Sequence, residues 1–379
     1  MKVIFKMGLG VVLGAGCGFG EDGVEKFAGD GLPPDVALCA GCVEGQPLRG
    51  ELMLFVNTKL TDQDSNFTIN YPIDGEGRYV GNALYLYEPE GKQLAKVGNL
   101  WLDETMGPIS VGDDSLRRFS VRDLAWHPGK GLWGLSYDPL NDEWGLTTLV
   151  VPDWHSNENR VESARYAFKY GPVNEAGTDA CYWRQSMTGL GFVGDTLYAG
   201  SAGKPGNGLD ARGAVFTIDA GFVEAPSHCV LPSDVSQDPL YYACEAICAT
   251  WTTFEEKIGV AGDVVDGADG MLALVRGEDS ETLPPGDNAL YTVPIDAKDR
   301  PPEAYGPTVE GLMTGFDIEG LARVKGVLYG ITTGGTVYKF SEPIDGTGWA
   351  VEVHEELGPK FTAPDLSVRI RGATAIVVE

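Results

Sequence analysis

The stretch DIEGLARVKGVLYGITTGGTVYKF, residues 317 to 340, alternates apolar and polar residues on either side of a Gly-Gly turn. Hairpins of the same kind recur along the chain. The segment VLYGITT at 327 is matched by ELMLFVN at 51, GLWGLSY at 131, TLYAGSA at 196 and GMLALVR at 270. Each is followed by a second apolar-alternating segment near an acidic or proline-containing turn: NALYLYEPEG at 82, WGLTTLVVPD at 144, GAVFTIDAG at 213, NALYTVPID at 288 and GTVYKFSEP at 335. Five hairpins of one kind are a repeat, and repeated units bury their apolar faces by stacking on their neighbours.

Further strands are expected around these hairpins. After them come QLAKVGNLW from 93, RVESARYAFK from 160, GFVEAPSHCVL from 221, PEAYGPTVEG from 302 and WAVEVHEEL from 349. Ahead of them lie glycine-containing segments: VRDLAWHP from 121, MTGLGFVG from 187, IGVAGDVV from 258 and IEGLARVK from 318. The first hairpin has no such segment before it; its partner is expected at the other end of the chain, as VRIRGATAIVV at 368 to 378. The arrangement resembles a β-propeller, in which four-stranded blades surround a central channel. The resemblance implies an all-β chain of very low helix content, with five blades by count, closed by the C-terminal strand pairing with the N-terminal blade. Glycine and alanine on the innermost strands fit this, because those backbones converge on the axis. A sixth blade stays open, since 58 to 80 and 232 to 256, read as loops, have room for part of one. The alternative is a β-sandwich, which has no need to repeat one strand pattern five times.

At the N-terminus, MKVIFKMGLGVVLGAGC places Lys2 and Lys6 ahead of a short apolar run and small residues before Cys17. That is the pattern of a secretory signal, and the run is too short to span a bilayer. The site resembles the lipobox of bacterial lipoproteins, which implies cleavage before Cys17 and lipid on its sulfur, although Leu13 stands one residue further from the cysteine than the pattern prefers. The expected organisation is a signal peptide at 1–16, a lipid-anchor tether and cysteine-containing lead-in at 17–49, and a single propeller domain at 50–379. Gly18 after the cysteine points to an outer-membrane or cell-surface lipoprotein; the alternative is a soluble periplasmic or extracellular protein.

Composition narrows the partners. With 55 acidic and 28 basic residues, the net charge of −27 repels nucleic acid and anionic lipid, so membrane association is expected only through the anchor. Six cysteines remain beside Cys17: Cys39, Cys42, Cys181, Cys229, Cys244 and Cys248. In an exported chain an even number reads as disulfides, with a local clip expected near Cys229, Cys244 and Cys248 and the pairing left open. Cys39 and Cys42 have C-x-x-C spacing but lack a thioredoxin-like context, so a structural disulfide is favoured over thiol chemistry.

For a site, the aligned starts of the innermost strands offer Arg122 and Asp123, Thr188, Asp317 and Glu319, then Arg369 and Arg371; the fourth unit aligns poorly. The Asp-Ile-Glu-Gly-Leu run resembles the DxEGL motif of phytase-like and SdiA-regulated propellers, whose acidic groups can hold calcium. The resemblance makes Asp317 and Glu319 candidate calcium ligands at the channel mouth. Calcium takes about 6 to 8 oxygens, and Arg122 and Arg371 at equivalent positions favour ion pairing instead. A second acidic cluster, Asp263, Asp266 and Asp269 in GDVVDGADG, is a further metal candidate in a glycine-rich loop.

No complete catalytic constellation is present in the sequence. There is no G-x-S-x-G elbow, Ser201 in AGSAG coming nearest, and His127, His155, His228 and His354 have no zinc spacing. The expected role is a protein- or small-molecule-binding module at the cell envelope. The alternative is a calcium-assisted hydrolase acting on a phosphoester, lactone or glycoside at the channel mouth.

Overall fold

The computed structural model describes residues 42–43, 48–59, 82–102, 120–138, 143–156, 159–167, 187–201, 214–226, 248–253, 258–268, 271–278, 289–296, 318–341, 350–360 and 368–379. Almost all of them are in antiparallel sheets, in five groups. The first group combines β1 (Gly50–Lys59), β2 (Asn82–Glu88) and β3 (Gln93–Leu102) with β19 (Val368–Val378), in the order β19-β1-β2-β3. The second runs β4 (Ser120–His127), β5 (Gly131–Asp138), β6 (Glu143–Val150) and β7 (Asn159–Ala167). The third is β8 (Met187–Val193), β9 (Thr196–Ser201), β10 (Ala214–Ile218) and β11 (Cys248–Thr253). The fourth contains β12 (Ile258–Ala268), β13 (Met271–Glu278) and β14 (Ala289–Pro294). The fifth is β15 (Ile318–Val324), β16 (Val327–Thr332), β17 (Thr336–Ser341) and β18 (Ala350–Glu356).

The leading strands of the groups pack against one another. β4 lies against β8, β8 against β12, β12 against β15, β15 against β19, and β19 against β4. At the other edge, β3 pairs with β7 in parallel from Gly98↔Asn159 to Leu102↔Ser163, which joins the first two groups into one eight-stranded sheet.

Why the strands are so apolar follows from burial on both faces. On β1, Leu52, Leu54 and Val56 join a core with Leu124, Leu132 and Leu149 of the second group. The intervening Met53 and Phe55 join a different core with Ala322, Val324, Tyr329 and Ile331 of the fifth. Period-2 alternation sends alternate side chains to opposite faces, so a strand between two neighbours reads as a continuous apolar run. The same logic sorts β2, where Leu84 and Leu86 face one way and Tyr85 and Tyr87 the other. Between the second and third groups, Trp133, Leu135 and Leu146 meet Leu190, Phe192 and Phe216.

Tight turns join the first two strands of the second, third and fifth groups. Val324 pairs with Val327 across Lys325-Gly326, both at positive φ (50° and 78°), the two-residue turn that matches the twist of a hairpin. The expected C-terminal pairing is present: β19 runs antiparallel to β1 from Gly50↔Val378 to Lys59↔Val368.

Two expectations change. The segment from Gly221, expected as a strand, is instead the short helix α1 (Ala220–Glu224), because the Asp219 side chain accepts the Phe222 N–H at 2.9 Å and caps the first turn. The outer strand of the third group is β11, inside the region read as a loop; it pairs with β10 from Ile218↔Cys248 to Ala214↔Thr253. The segment expected as a strand from residue 302 lies outside the described residues.

Candidate functional site

Every leading strand breaks its ladder to the second strand at the same place. In β4 the register shifts between Val121 and Asp123, leaving Arg122 bulged; in β8 it shifts between Met187 and Gly189, leaving Thr188; in β15 between Ile318 and Gly320, leaving Glu319. In β19, Arg371 and Gly372 together oppose the single residue Val56, and in β12 the shift lies between Val260 and Val264. A bulge bends its strand and re-aims the extra side chain. Four such bulges set one polar position per strand, Arg122, Thr188, Glu319 and Arg371, whereas in β12 the three residues 261–263 stand opposite the single residue Val275.

The residue after each bulge is small or acidic: Asp123, Gly189, Asp263, Gly320 and Gly372. Crowding explains the glycines. A Cβ on Gly372 would sit 1.6 Å from Asp123 Oδ1, one on Gly320 would sit 2.5 Å from Ala373 N, and one on Gly189 would reach 3.0 Å from Gly262 O. The Asp123 carboxyl occupies the room that Gly372 leaves. Asp123 and Asp263 are both fully buried.

Each aspartate bonds to its own strand and to the next group. Asp123 Oδ1 accepts the Leu124 N–H at 2.8 Å, and Oδ2 accepts the Leu190 N–H of β8 at 2.6 Å. Asp263 Oδ1 accepts the Val264 N–H at 2.5 Å, and Oδ2 accepts the Leu321 N–H of β15 at 2.6 Å. Burial, and then the neighbouring Asp263, push the Asp123 carboxyl well above the usual carboxylate range. Burial pushes Asp263 up to about 8, against the lowering pull of its hydrogen bonds.

Toward the bulges, Arg371 Nη1 donates to Glu319 Oε1 at 2.9 Å, and the Thr333 hydroxyl donates to the same oxygen at 3.2 Å. The mixed-charge pairing expected between these positions is therefore formed by Glu319 and Arg371. Arg122 and Thr188 are half-buried on the neighbouring strands. The backbone of Arg369 pairs with Thr58. Asp317 lies outside the described residues, as does Asp269.

Asp263 and Asp266 lie in strand β12 and not in the loop expected of a cation site. Asp263 is in the body of β12, with each oxygen accepting a backbone N–H, while Asp266 is half-buried and pairs in register with Leu272. Among the described residues, no group of three or more His, Cys, Asp and Glu side chains could hold a metal ion. The nearest nucleophile candidate, Ser201, is fully buried at the end of β9. His127 sits against Phe192, ring centroids 5.2 Å apart, with Nε2 3.2 Å from Asp195.

Of the cysteines, Cys42 packs beside the core that Met53 and Tyr87 share with the fifth group, and Cys248 opens β11. Cys17, Cys39, Cys181, Cys229 and Cys244 lie outside the described residues. Sequence alignment missed the equivalence of Asp263 and Asp123. The available signal was Gly262-Asp263 standing where the other strands have Arg-Asp, Thr-Gly, Glu-Gly and Arg-Gly. No family model matches the chain, and no curated protein matches it either.

Proposed function

We propose that the five groups are the blades of a five-bladed β-propeller, and that the protein is an exported ligand- or protein-binding module whose site lies where the innermost strands begin. The cyclic packing of β4, β8, β12, β15 and β19 supports the architecture. The observation that carries the site is the recurrence of one bulge in four of the five leading strands, which sets Arg122, Thr188, Glu319 and Arg371 at equivalent positions. Antiparallel topology adds to it: the strand ends flanking 60–81, 103–119, 168–186 and 202–213 fall at this same end. Binding residues concentrate on loops held by a rigid scaffold. The proposed setting is the cell envelope, with the chain anchored through Cys17.

A binding role fits the chemistry better than hydrolysis. Glu319 Oε1 is held by Arg371 and Thr333, and the buried aspartates have no access to a substrate. The test is a screen of the full chain on glycan and peptide arrays, repeated with R122A and R371A. Loss of a captured ligand by at least tenfold in both variants, with melting temperature retained, supports the reading. It is overturned if binding persists in both, or if the wild-type chain turns over phosphoesters, lactones or glycosides and the variants lose that turnover.

A further inference from the structure

Each bulged side chain stands between two buried residues: Arg122 between Val121 and Asp123, Thr188 between Met187 and Gly189, Glu319 between Ile318 and Gly320, Arg371 between Ile370 and Gly372. The bulged residues themselves are half-buried and reach solvent in part. Close packing sets three of them side by side. A Cβ on Gly372 would sit 2.2 Å from Asp123 Cα, and one on Gly320 would sit 2.5 Å from Ala373 N. Further along, the Trp126 N–H donates to the Thr374 hydroxyl at 3.3 Å, so β4 and β19 run in the same direction and Arg122 and Arg371 stand at the same end. Arg371 therefore has Glu319 on one side and Arg122 on the other.

These positions hold two guanidinium groups and one carboxylate. Arg371 Nη1 donates to Glu319 Oε1 at 2.9 Å, which engages one end of its guanidinium. At the other edge its Nε–H is buried and meets no acceptor in the protein. A buried donor is costly to leave unmade. Nε and the adjacent Nη2 form the edge of an arginine that matches the two oxygens of a carboxylate.

We propose that Arg371 and Arg122 form a carboxylate-binding site. The proposal rests on the binding role given above and names its chemistry: a small molecule whose carboxylate lies along the Nε edge of Arg371, with the Arg122 guanidinium as the second counter-charge. Glu319 cancels one of the two arginines, so one negative charge is matched and the second charge of a phosphate monoester meets Glu319 unbalanced. A chain of net charge −27 repels anions at long range, so the selection comes from the local donors.

Nitrogen-15 NMR of the arginine Nε–H groups of the full chain tests this, with acetate as the probe at constant ionic strength. The Arg371 resonance is identified by its loss in R371K or, if that variant does not fold, by its displacement in E319Q. The expected result is a saturable shift of this resonance with acetate, at lower concentration than with inorganic phosphate, and none with acetamide. R371K keeps the charge but lacks the edge, and should weaken acetate binding, read at Arg122, by about tenfold. E319Q removes the competing carboxylate and should strengthen it. Glucuronate against glucose, and tri-alanine against its C-terminal amide, then tell a sugar acid from a peptide terminus. The proposal is overturned by the absence of a saturable acetate shift, by an equal response to acetamide, by tighter binding of phosphate, by failure of both larger carboxylates to exceed their neutral counterparts, or by acetate binding that neither R371K nor E319Q alters. Capture of a neutral molecule, lost in R122A and R371A, would overturn the carboxylate chemistry and leave the binding role standing; turnover of a substrate by a chain that also binds acetate would do the reverse.

Discussion

Gly372 shows what convergence of the leading strands requires of a single residue. The methyl group of alanine would enter the space of the Asp123 carboxyl, which is fixed by two backbone donors, so neither side can give way. G372A is expected to lower the free energy of unfolding by about 3 kcal/mol, the upper part of the range for overpacking, as read from the urea midpoint. G334A, where an added Cβ meets nothing within 4 Å, is the control and should change little. The ion pair of Glu319 and Arg371 is partly shielded, with side-chain exposures of 19% and 12%, so a double-mutant cycle of E319Q and R371M should give a coupling of about 1 kcal/mol. Additive effects would show that the two charges do not act together. The positions of Arg122, Thr188, Glu319 and Arg371 were legible because each precedes Gly or Asp at the start of an apolar strand. Asp263 was not, because the glycines of GDVVDGADG imitate a loop while the carboxyl in fact fills a gap between backbones.

Among the elements, strands with two buried faces were the most legible, since their apolar runs are bounded by glycine and acidic turns. β11 was missed because the alternation in CATWTT is confined to Ala249-Thr250-Trp251-Thr252 and residues 227–247 separate it from α1. α1 was missed because the adjacent Phe222 and Val223 suit a short strand as well as a single helical turn, and the Asp219 cap decides for the helix. D219A should therefore loosen the helix by about 1 kcal/mol, and the emission of Trp133 should report it, because Phe222 lies 6.0 Å from that ring. β19 carries more. Removing residues 366–379 strips the ladder from β1 and uncovers the cores that Ile370, Ala373, Ile376 and Val378 complete on either side. The truncated chain is expected to aggregate or to melt far below the full one, in a thermal scan followed by light scattering. Unchanged melting and solubility would show that the leading strands do not depend on closure.

At the scale of the whole molecule, two pH effects of opposite sign meet. Glu355, in the outer strand of the fifth group, is raised by its partial burial but lowered on balance by the bonds from Lys360 and Tyr87. The Lys360 ammonium lies 2.6 Å from one of its oxygens, and the Tyr87 hydroxyl donates to the other at 2.6 Å. A lowered carboxylate contributes stability above its unfolded value and loses it as pH falls, whereas the aspartate pair loses its contribution as pH rises. K360M should thus flatten only the acid limb of a stability profile, and D263N only the neutral-to-alkaline limb. Equal changes on both limbs in either variant would mean that the general repulsion of a chain of net charge −27 dominates instead.

The pairing of Glu51 with Val377 has a consequence in time rather than in space. A ribosome delivers β1 at 50–59 long before its partner at 368–378, so until that partner emerges the first sheet has an unpaired edge. Contacts so distant in sequence form slowly, because the loop between them must close before any bond rewards it. Completion of the first sheet is therefore expected to be the slow phase of refolding, and the interval before it is when the exposed edge of β1 is most open to pairing with another copy.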